Sequence, residues 1–286
     1  MKISEILKTK EITVSAEIFP PKLGTELGQS RKIVSEMAEL KPDFISVTYG
    51  AAGSTARFTA ELAEAVESCG VASLAHVTCV SSDEDTLEEY LNSLKSNGIQ
   101  NILALRGDMP VGREPKRVYP HASDLALAIK QRGDFCVGGA CYPEGHPEAA
   151  SVSADIEALK IKAESGCEFF TTQMFFDNDV MYSFMTKFQR KGINIPVIAG
   201  IMPITNARQL GRSVSLSGTA VPRRFREIVE RFGDKPLAMR QAGIAFATEQ
   251  IIDLIANGVN NIHIYAMNKP DVLAEILSNI SYIREI

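Results

Sequence analysis

The sequence predicts an α/β protein of a single domain, residues 1–286, folded as a closed (β/α)8 TIM barrel. Three observations predict this class. Eight short runs rich in β-branched and aromatic residues alternate with amphipathic helical stretches, which is typical of βαβ units in a parallel sheet. The length of 286 residues is common for one α/β barrel. No strand run is followed by the GxGxxG pattern of the open dinucleotide-binding sheet.

The elements are predicted in a regular order along the chain. Apolar, β-rich runs predict strands over 13–19, 44–50, 72–79, 101–107, 135–142, 169–176, 196–202 and 262–267. Helical periodicity predicts helices over 26–40, 55–69, 83–97, 151–166, 178–191 and 235–257. Glycines end several of them, as C-terminal caps do, at Gly70, Gly98, Gly166, Gly192 and Gly258. The less regular region 210–232 predicts a helix, a loop around 217–222 and a second short helix.

Composition narrows the class of protein. Hydrophobic residues make up 45% of the chain and charged residues 23%, which are ordinary values for a globular protein. The net charge of −5 provides no basic surface for nucleic acid or an anionic membrane. No apolar run reaches bilayer length and the first ten residues do not resemble a signal peptide, so we expect a cytoplasmic protein. The five cysteines lack CxxC spacing and the four histidines form no HExxH, so we expect reduced thiols and no metal site.

Polar residues stand where the predicted strands end, and in a barrel these ends converge on the face that holds the active site. The most informative is the buried run 101–105, which ends in Arg106, Gly107 and Asp108. Isolated charges are costly to desolvate, and glycine lets a ligand or another backbone approach closely. The other strand ends contribute further candidates, namely Glu17, Thr48, His76, Tyr142, His146 and Gln173.

The charged candidates each have a structural alternative. Glu17 could form an ion pair inside the barrel, but its apolar neighbours favour a protonated carboxyl, which suits proton donation. Asp108 could simply pair with Arg106. The tripeptide Arg106-Gly107-Asp108 could also be an exposed adhesion turn, which would require a flexible loop in an extracellular protein.

The neutral candidates also remain open at this point. His76 is suited equally to a buried structural histidine and to ligand contact. Gln173 could hold the barrel rim together or read the donor and acceptor edge of a heterocycle. The Tyr142–His146 segment could have a purely structural role in shaping a proline-rich loop. Asp155 and Lys162, seven residues apart on one helix face, are by default a solvated or ion-paired surface.

Eight motifs follow one another along the chain: Glu17-Ile-Phe-Pro-Pro21, Val47-Thr-Tyr-Gly-Ala51, His76-Val-Thr-Cys79, Ala104-Leu-Arg-Gly-Asp-Met-Pro110, Ala122-Ser-Asp-Leu125, Tyr142-Pro-Glu-Gly-His-Pro-Glu148, Thr172-Gln-Met-Phe-Phe-Asp177 and Gly200-Ile-Met-Pro203. Because these motifs occur in this order and with this spacing, the chain resembles the short bacterial form of the methylenetetrahydrofolate reductase family over nearly its whole length. The resemblance implies a barrel with non-covalent FAD at its C-terminal face. It also implies reduction of 5,10-methylenetetrahydrofolate to 5-methyltetrahydrofolate, a step of one-carbon metabolism that serves methionine biosynthesis.

The resemblance assigns roles position by position. The implied FAD contacts are Thr48, His76, Leu105, Arg106, Gly107, Asp108, Gly139, Ala140, Tyr142, His146, Asp155, Ala158 and Lys162. Glu17 is implied as the general acid that helps to open the imidazolidine ring of the folate. Asp108 is implied to bind the pterin and tune the flavin, and Gln173 to contact both folate and nicotinamide. Lys269, in place of the arginine of the family's Leu-Asn-Arg motif, is implied as a further substrate contact.

The resemblance indicates the electron donor less directly than the substrate. Ser213 stands near the place of a phenylalanine that stacks on the nicotinamide in the enterobacterial enzymes. NADH or NADPH in a ping-pong cycle is the leading expectation. Electrons from a partner subunit of a larger complex are an alternative, and a colourless, flavin-free pterin-binding methyltransferase barrel is another. The family also implies a homo-oligomer. The regulatory domain of the eukaryotic enzymes has no counterpart in the sequence, so we expect no adenosylmethionine control within this polypeptide.

Overall fold

The computed structural model describes residues 1–21, 26–49, 56–108, 114–116 and 118–285. Eight parallel strands in these ranges close into a barrel in the order in which they occur in the chain. They are β1 (Thr13–Ile18), β2 (Phe44–Val47), β3 (Ala72–Thr78), β4 (Asn101–Leu105), β5 (Cys136–Cys141), β6 (Cys167–Thr172), β7 (Val197–Ile201) and β8 (Asn261–Ile264). The barrel closes between β1 and β8, where Thr13 pairs with Asn261. The predicted (β/α)8 class is confirmed.

Helices precede, connect and follow the strands. They are α1 (Ile3–Thr9), α2 (Leu27–Glu39), α3 (Ala56–Ser68), α4 (Glu84–Ser96), α5 (Ala122–Arg132), α6 (Val152–Glu164), α7 (Asn178–Arg190), α8 (Ala207–Ser217), α9 (Arg223–Phe232), α10 (Pro236–Ala256) and α11 (Pro270–Asn279). Helices α2 to α10 connect the strands around the outside of the barrel, whereas α1 precedes β1 and α11 follows β8. The helix, loop and short helix predicted for 210–232 are confirmed as α8 and α9. Across the ranges just given, no helix combines the length and the apolar character needed to span a membrane.

Several strands end earlier than predicted, β2 at Val47, β4 at Leu105 and β8 at Ile264 among them, and the largest difference is in β6. Strand β6 ends at Thr172 rather than at 176, so Gln173 is the first residue beyond the strand. Of the apolar residues that follow, Met174 and Phe176 are buried in a side cluster formed with α8, α9 and α10, which includes Phe225, whereas Phe175 is part of the main core. A short apolar run does not by itself distinguish a strand from such a buried loop. Of the motif residues, Gly50, Ala51, Met109 and Pro110 lie outside the described ranges.

Helix α1 was not predicted, and it closes the N-terminal end of the barrel. Ile3, Ile6 and Leu7 pack against inward-facing side chains of the strands, Phe44 and Phe169 among them. Seven residues give less than two full helical periods, too few for a convincing pattern. With this end filled, the opposite end of the barrel is left for a ligand.

Candidate active site

A cavity of about 890 Å³ opens at the C-terminal end of the barrel, and residues on or just after every strand line it. This is the face on which (β/α)8 barrels hold their active sites. All four histidines of the chain, His76, His121, His146 and His263, are among the lining residues. A cavity of this size at the convergent strand ends, lined by apolar surface and by several polar groups, is the strongest candidate for a functional site.

Most of the predicted site residues meet in this cavity. Those that line it are Glu17, Thr48, His76, Leu105, Arg106, Gly107, Asp108, Ala140, Tyr142, His146, Asp155, Ala158, Lys162 and Gln173. Gly139 is not among the lining residues: a Cβ atom there would meet the ring of Phe170, 3.0 Å away, on the helix side of β5. Lys269 is not among them either, because its Nζ donates to Thr205 Oγ1 at 2.9 Å and ties the β8 end to the loop after β7.

The structure explains why residue 107 is a glycine, which the sequence suggested only in part. Its φ of +83° lies in the left-handed region that favours glycine. A Cβ atom would lie 2.7 Å from Val80 Cγ2 and 2.8 Å from Thr78 Cβ. The groups that approach Gly107 closely are therefore the side chains of Thr78, at the end of β3, and Val80, just after it. The result is a tight crossing that sets the direction of Arg106 and Asp108.

Glu17 lies at the mouth of the barrel between two buried histidines. Its carboxylate Oε2 is 4.0 Å from His76 Nε2 and 3.9 Å from His263 Nε2. Both distances exceed a direct hydrogen bond and leave Glu17 able to bond a ligand instead. Strand β1 supplies Glu17, β3 supplies His76 and β8 supplies His263, so closure of the barrel is what creates this arrangement.

His263 is oriented by a residue of the neighbouring strand. The Ser15 hydroxyl lies 2.8 Å from His263 Nδ1 and donates to the carbonyl of Ile262 at 3.1 Å. A hydroxyl has only one proton to donate, so Nδ1 is the donor in its contact with Ser15. Nε2 of a neutral His263 is then an acceptor that faces Glu17. Ser15 therefore sets the orientation in which the His263 ring faces Glu17.

His76 is held neutral by its surroundings. Burial lowers its pKa to about 4, although the nearby Glu17 carboxylate acts in the opposite direction. The ring Nε2 lies 2.5 Å from Ser46 Oγ, which fixes its orientation. We infer that His76 is a neutral hydrogen-bonding group of the cavity at physiological pH rather than a cation.

The lowered pKa of His76 predicts a pH dependence of stability. Because the folded-state value of about 4 is below the ordinary 6.5, the stabilisation is complete above pH 6.5 and is lost as the pH falls through 4. The loss amounts to about 3 kcal/mol in the free energy of unfolding. Urea unfolding of the wild type and of His76→Gln at several pH values tests this. The wild type should lose more stability than the variant between pH 7 and pH 4, and parallel curves would contradict the prediction.

The rim above β4 and β5 is strongly polar. Both terminal nitrogens of Arg106, Nη1 and Nη2, donate to the carboxylate of Glu148, which follows β5. These bonds hold the pKa of Glu148 below its ordinary value. Asp108 is exposed beside this pair. Bidentate pairing is the geometry with which arginine also binds phosphate and carboxylate groups. Arg106 is therefore positioned to exchange Glu148 for an anionic ligand at the cavity edge.

Helix α6 adds a second set of polar groups to the same edge. Asp155, which is buried, accepts the backbone N–H of His146 at 3.1 Å, and Lys162 Nζ donates to the carbonyl of Ala140 at 2.9 Å. The His146 ring contacts Tyr142 edge to face, with 4.7 Å between ring centroids. These contacts fix the loop after β5 against α6, so the helix faces the cavity with Asp155 and Lys162 rather than turning them to solvent.

Comparison with known proteins settles the family. The profile described as methylenetetrahydrofolate reductase matches residues 2–281. The chain belongs to the methylenetetrahydrofolate reductase family. This agrees with the expectation from the eight sequence motifs.

Curated members of this family match over nearly the whole chain. The 5,10-methylenetetrahydrofolate reductase of Escherichia coli is 32% identical, over 92% of this chain and 88% of that protein. Methylenetetrahydrofolate reductase (NADH) 1 of Arabidopsis thaliana is also 32% identical, over 99% of this chain, which spans 51% of the length of the plant protein. A solved structure from Clostridium thermocellum, described as an uncharacterized protein that binds two copies of 5-methyl-5,6,7,8-tetrahydrofolic acid, superposes with a TM-score of 0.67 at 14% identity. That likeness supports the fold.

The cavity fits the FAD that the methylenetetrahydrofolate reductase family implies. Two buried hydroxyl oxygens in its wall, Thr78 Oγ1 and Thr171 Oγ1, have no hydrogen-bond partner among the residues that the structure describes. Such groups are costly unless a ligand or water pairs them. Arg106 and Lys162 supply positive charge for a pyrophosphate at one edge, and the size of the cavity accommodates a ring system. The residues present therefore suit a large, polar, partly anionic cofactor.

Sequence reasoning missed several residues in and beside this cavity, above all His263, Ser15, Ser46 and Thr171. Ser15 and His263 are 248 positions apart and become neighbours only because β1 closes onto β8. A signal was available in the alternation of polar residues along β1, where Thr13, Ser15 and Glu17 share one face. Period-two polarity on a buried strand indicates a polar barrel interior.

Proposed function

We propose that this protein reduces 5,10-methylenetetrahydrofolate to 5-methyltetrahydrofolate, using FAD that NAD(P)H reduces again in a ping-pong cycle. One observation carries the proposal within this family: Glu17 is held at the cavity mouth with two histidine Nε2 atoms beside it. Reduction of the methylene carbon requires prior opening of the imidazolidine ring, and its leaving nitrogen needs a proton. A carboxyl at the mouth of the cavity can supply that proton.

The residues of the chain account for proton delivery. In the proposed role, the protonated carboxyl of Glu17 donates to the leaving amine nitrogen of the substrate. His263, with Nδ1 held by Ser15, lies close enough to exchange a proton with Glu17 through a small movement or one water molecule. His76 stays neutral and adds no positive charge beside Glu17.

The rim residues bind and orient the ligands. When bound, FAD supplies the hydride chemistry that no side chain provides. Arg106 and Lys162 are proposed to contact its anionic part, and Asp155 and His146 to hold the loop against it. Exposed Asp108 is proposed to bind the pterin ring of the folate, whose amino and amide N–H groups match a carboxylate acceptor. Gln173, at the end of β6, offers both a donor and an acceptor to either substrate.

The first candidate for the electron donor is NADH, which is part of the names of the plant relatives. Ser213 favours a second candidate, electrons from a partner subunit. Its side chain is buried and its hydroxyl lies 3.2 Å from the sulfur of Met202, a residue that lines the cavity. Residue 213 therefore places no aromatic ring against a nicotinamide. The two candidates differ in whether a free nucleotide reduces the flavin.

Anaerobic titration of the purified protein tests cofactor and donor together. The protein should be yellow as isolated, and NADH should bleach the flavin absorbance, with NADPH measured in parallel. Bleaching by dithionite but by neither nucleotide would support the partner subunit instead. A colourless protein that does not take up added FAD would overturn the flavin-dependent function and favour a pterin-binding methyltransferase.

A further inference from the structure

Two threonine hydroxyls in the cavity wall remain without a role in the function proposed above. Thr78 and Thr171 are each 6% exposed, and within the described part of the chain the Oγ1 of each has no hydrogen-bond partner. Other hydroxyls inside the barrel are paired. Thr13 Oγ1 donates to Asn261 Oδ1 at 2.9 Å, and Ser46 Oγ contacts His76. Because an unpaired buried hydroxyl is unfavourable, these two indicate a partner that the described ranges of the chain do not supply.

The two hydroxyls lie on different walls of the cavity. Thr78 is the last residue of β3, under Gly107, and Thr171 is the penultimate residue of β6. Strands β4 and β5 separate them. On β5 the residue paired with Thr171 is Ala140, which also lines the cavity and whose methyl group leaves space in front of the hydroxyl. A flat ligand across the barrel end can reach both walls.

We propose that Thr78 and Thr171 hydrogen-bond the fused ring system of the bound flavin, an inference that rests on the function proposed above. The isoalloxazine ring carries carbonyl and ring-nitrogen acceptors and an N–H donor, and a hydroxyl can both donate and accept. In a ping-pong cycle, folate and nicotinamide leave in turn, whereas the cofactor stays. Only the cofactor pairs these hydroxyls throughout the cycle. Thr78 also adjoins the Arg106–Asp108 segment, which lines the same cavity.

Valine substitutions test this, because valine keeps the shape of threonine and removes the hydroxyl. Thr78→Val and Thr171→Val are each expected to weaken FAD binding to the flavin-free protein about three- to ten-fold, the value of one hydrogen bond. Their flavin-free unfolding midpoints should equal or exceed that of the wild type, since a methyl group replaces an unpaired hydroxyl. The visible spectrum of the remaining bound flavin should shift, because ring hydrogen bonds tune its electronic state.

Thr13→Val is the matched control. Its hydroxyl is buried in the same barrel but paired with Asn261, and Thr13 does not line the cavity. This variant should lose thermal stability and keep the FAD affinity of the wild type. The control therefore shows the opposite pattern from Thr78→Val and Thr171→Val, and a general effect of valine on the fold cannot produce both patterns.

The outcomes separate this inference from the function on which it rests. Wild type that binds FAD, with both cavity variants binding it within two-fold of the wild type, overturns the inference alone. The inference is also overturned if the variants keep their FAD affinity and lose only affinity for 5-methyltetrahydrofolate in the flavin-loaded protein. The hydroxyls would then bind the pterin. Wild type that binds no FAD removes the proposed function together with the inference.

Discussion

Glu17→Gln is expected to lose 5,10-methylenetetrahydrofolate reduction by a factor on the order of 10²–10⁴, the usual contribution of a positioned general acid. The amide has nearly the shape of the carboxyl but cannot donate a proton of suitable acidity to the leaving nitrogen. Reduction of the flavin by NADH needs no such proton and should proceed close to the wild-type rate. Anaerobic stopped-flow measurement of the two half-reactions separates these effects.

Glu144→Gln is the matched control for Glu17→Gln. Glu144 is also a partly buried glutamate at the C-terminal face, but its Oε2 accepts the backbone N–H of Ala220 and it does not line the cavity. The control should leave both half-reactions unchanged. A Glu17→Gln variant that reduced the folate at the wild-type rate would exclude Glu17 as the general acid, and equal losses in both half-reactions would indicate a structural role.

Gly107→Ala is expected to destabilise the protein by about 2–4 kcal/mol, combining a left-handed backbone that alanine disfavours with overpacking against β3. The added methyl group would meet Val80 and Thr78 at under 3 Å. Any relief of that contact shifts Arg106 and Asp108, so FAD affinity should fall as well. Urea unfolding and FAD titration of the same variant measure the two effects.

Gly98→Ala isolates the contribution of the backbone. Gly98 has a φ of +73° at the end of α4, yet nothing lies within 4 Å of the position that a Cβ atom would occupy. It should cost about 1 kcal/mol, the conformational part alone, without affecting FAD affinity. If Gly107→Ala were no more destabilising than Gly98→Ala, the close crossing with β3 would not be a constraint.

The fold could be predicted largely because the period of the hydrophobic pattern is local. Alternation of β-rich and helical stretches is enough to indicate parallel βαβ units, and cap glycines such as Gly98 and Gly166 mark helix ends with the positive φ that the structure contains. The errors are at element ends and in short elements. Burial of Met174 and Phe176 under α8 and α9 extends the apolar run of β6 beyond the last ladder position.

The candidate site was predictable only where it lies at strand ends. The convergence of parallel strands at one edge follows from the fold class, so Glu17, Arg106 and Tyr142 could be assigned to one face from the sequence. Pairing inside the barrel could not be predicted, because the partners of Ser15 and Ser46 depend on strand register and closure. Lys269 shows the opposite error, a residue predicted in the site that does not line the cavity. Its hydrogen bond to Thr205 could not be predicted from the local sequence pattern.

The most direct test of the proposed reaction removes the donor from the experiment. The flavin of the purified protein is reduced photochemically under anaerobic conditions and mixed with 5,10-methylenetetrahydrofolate. We predict that the flavin absorbance returns in a single turnover, with one 5-methyltetrahydrofolate formed for each flavin. Flavin that stays reduced in the presence of saturating folate, with no methyl product, would contradict the proposal that this site reduces methylenetetrahydrofolate.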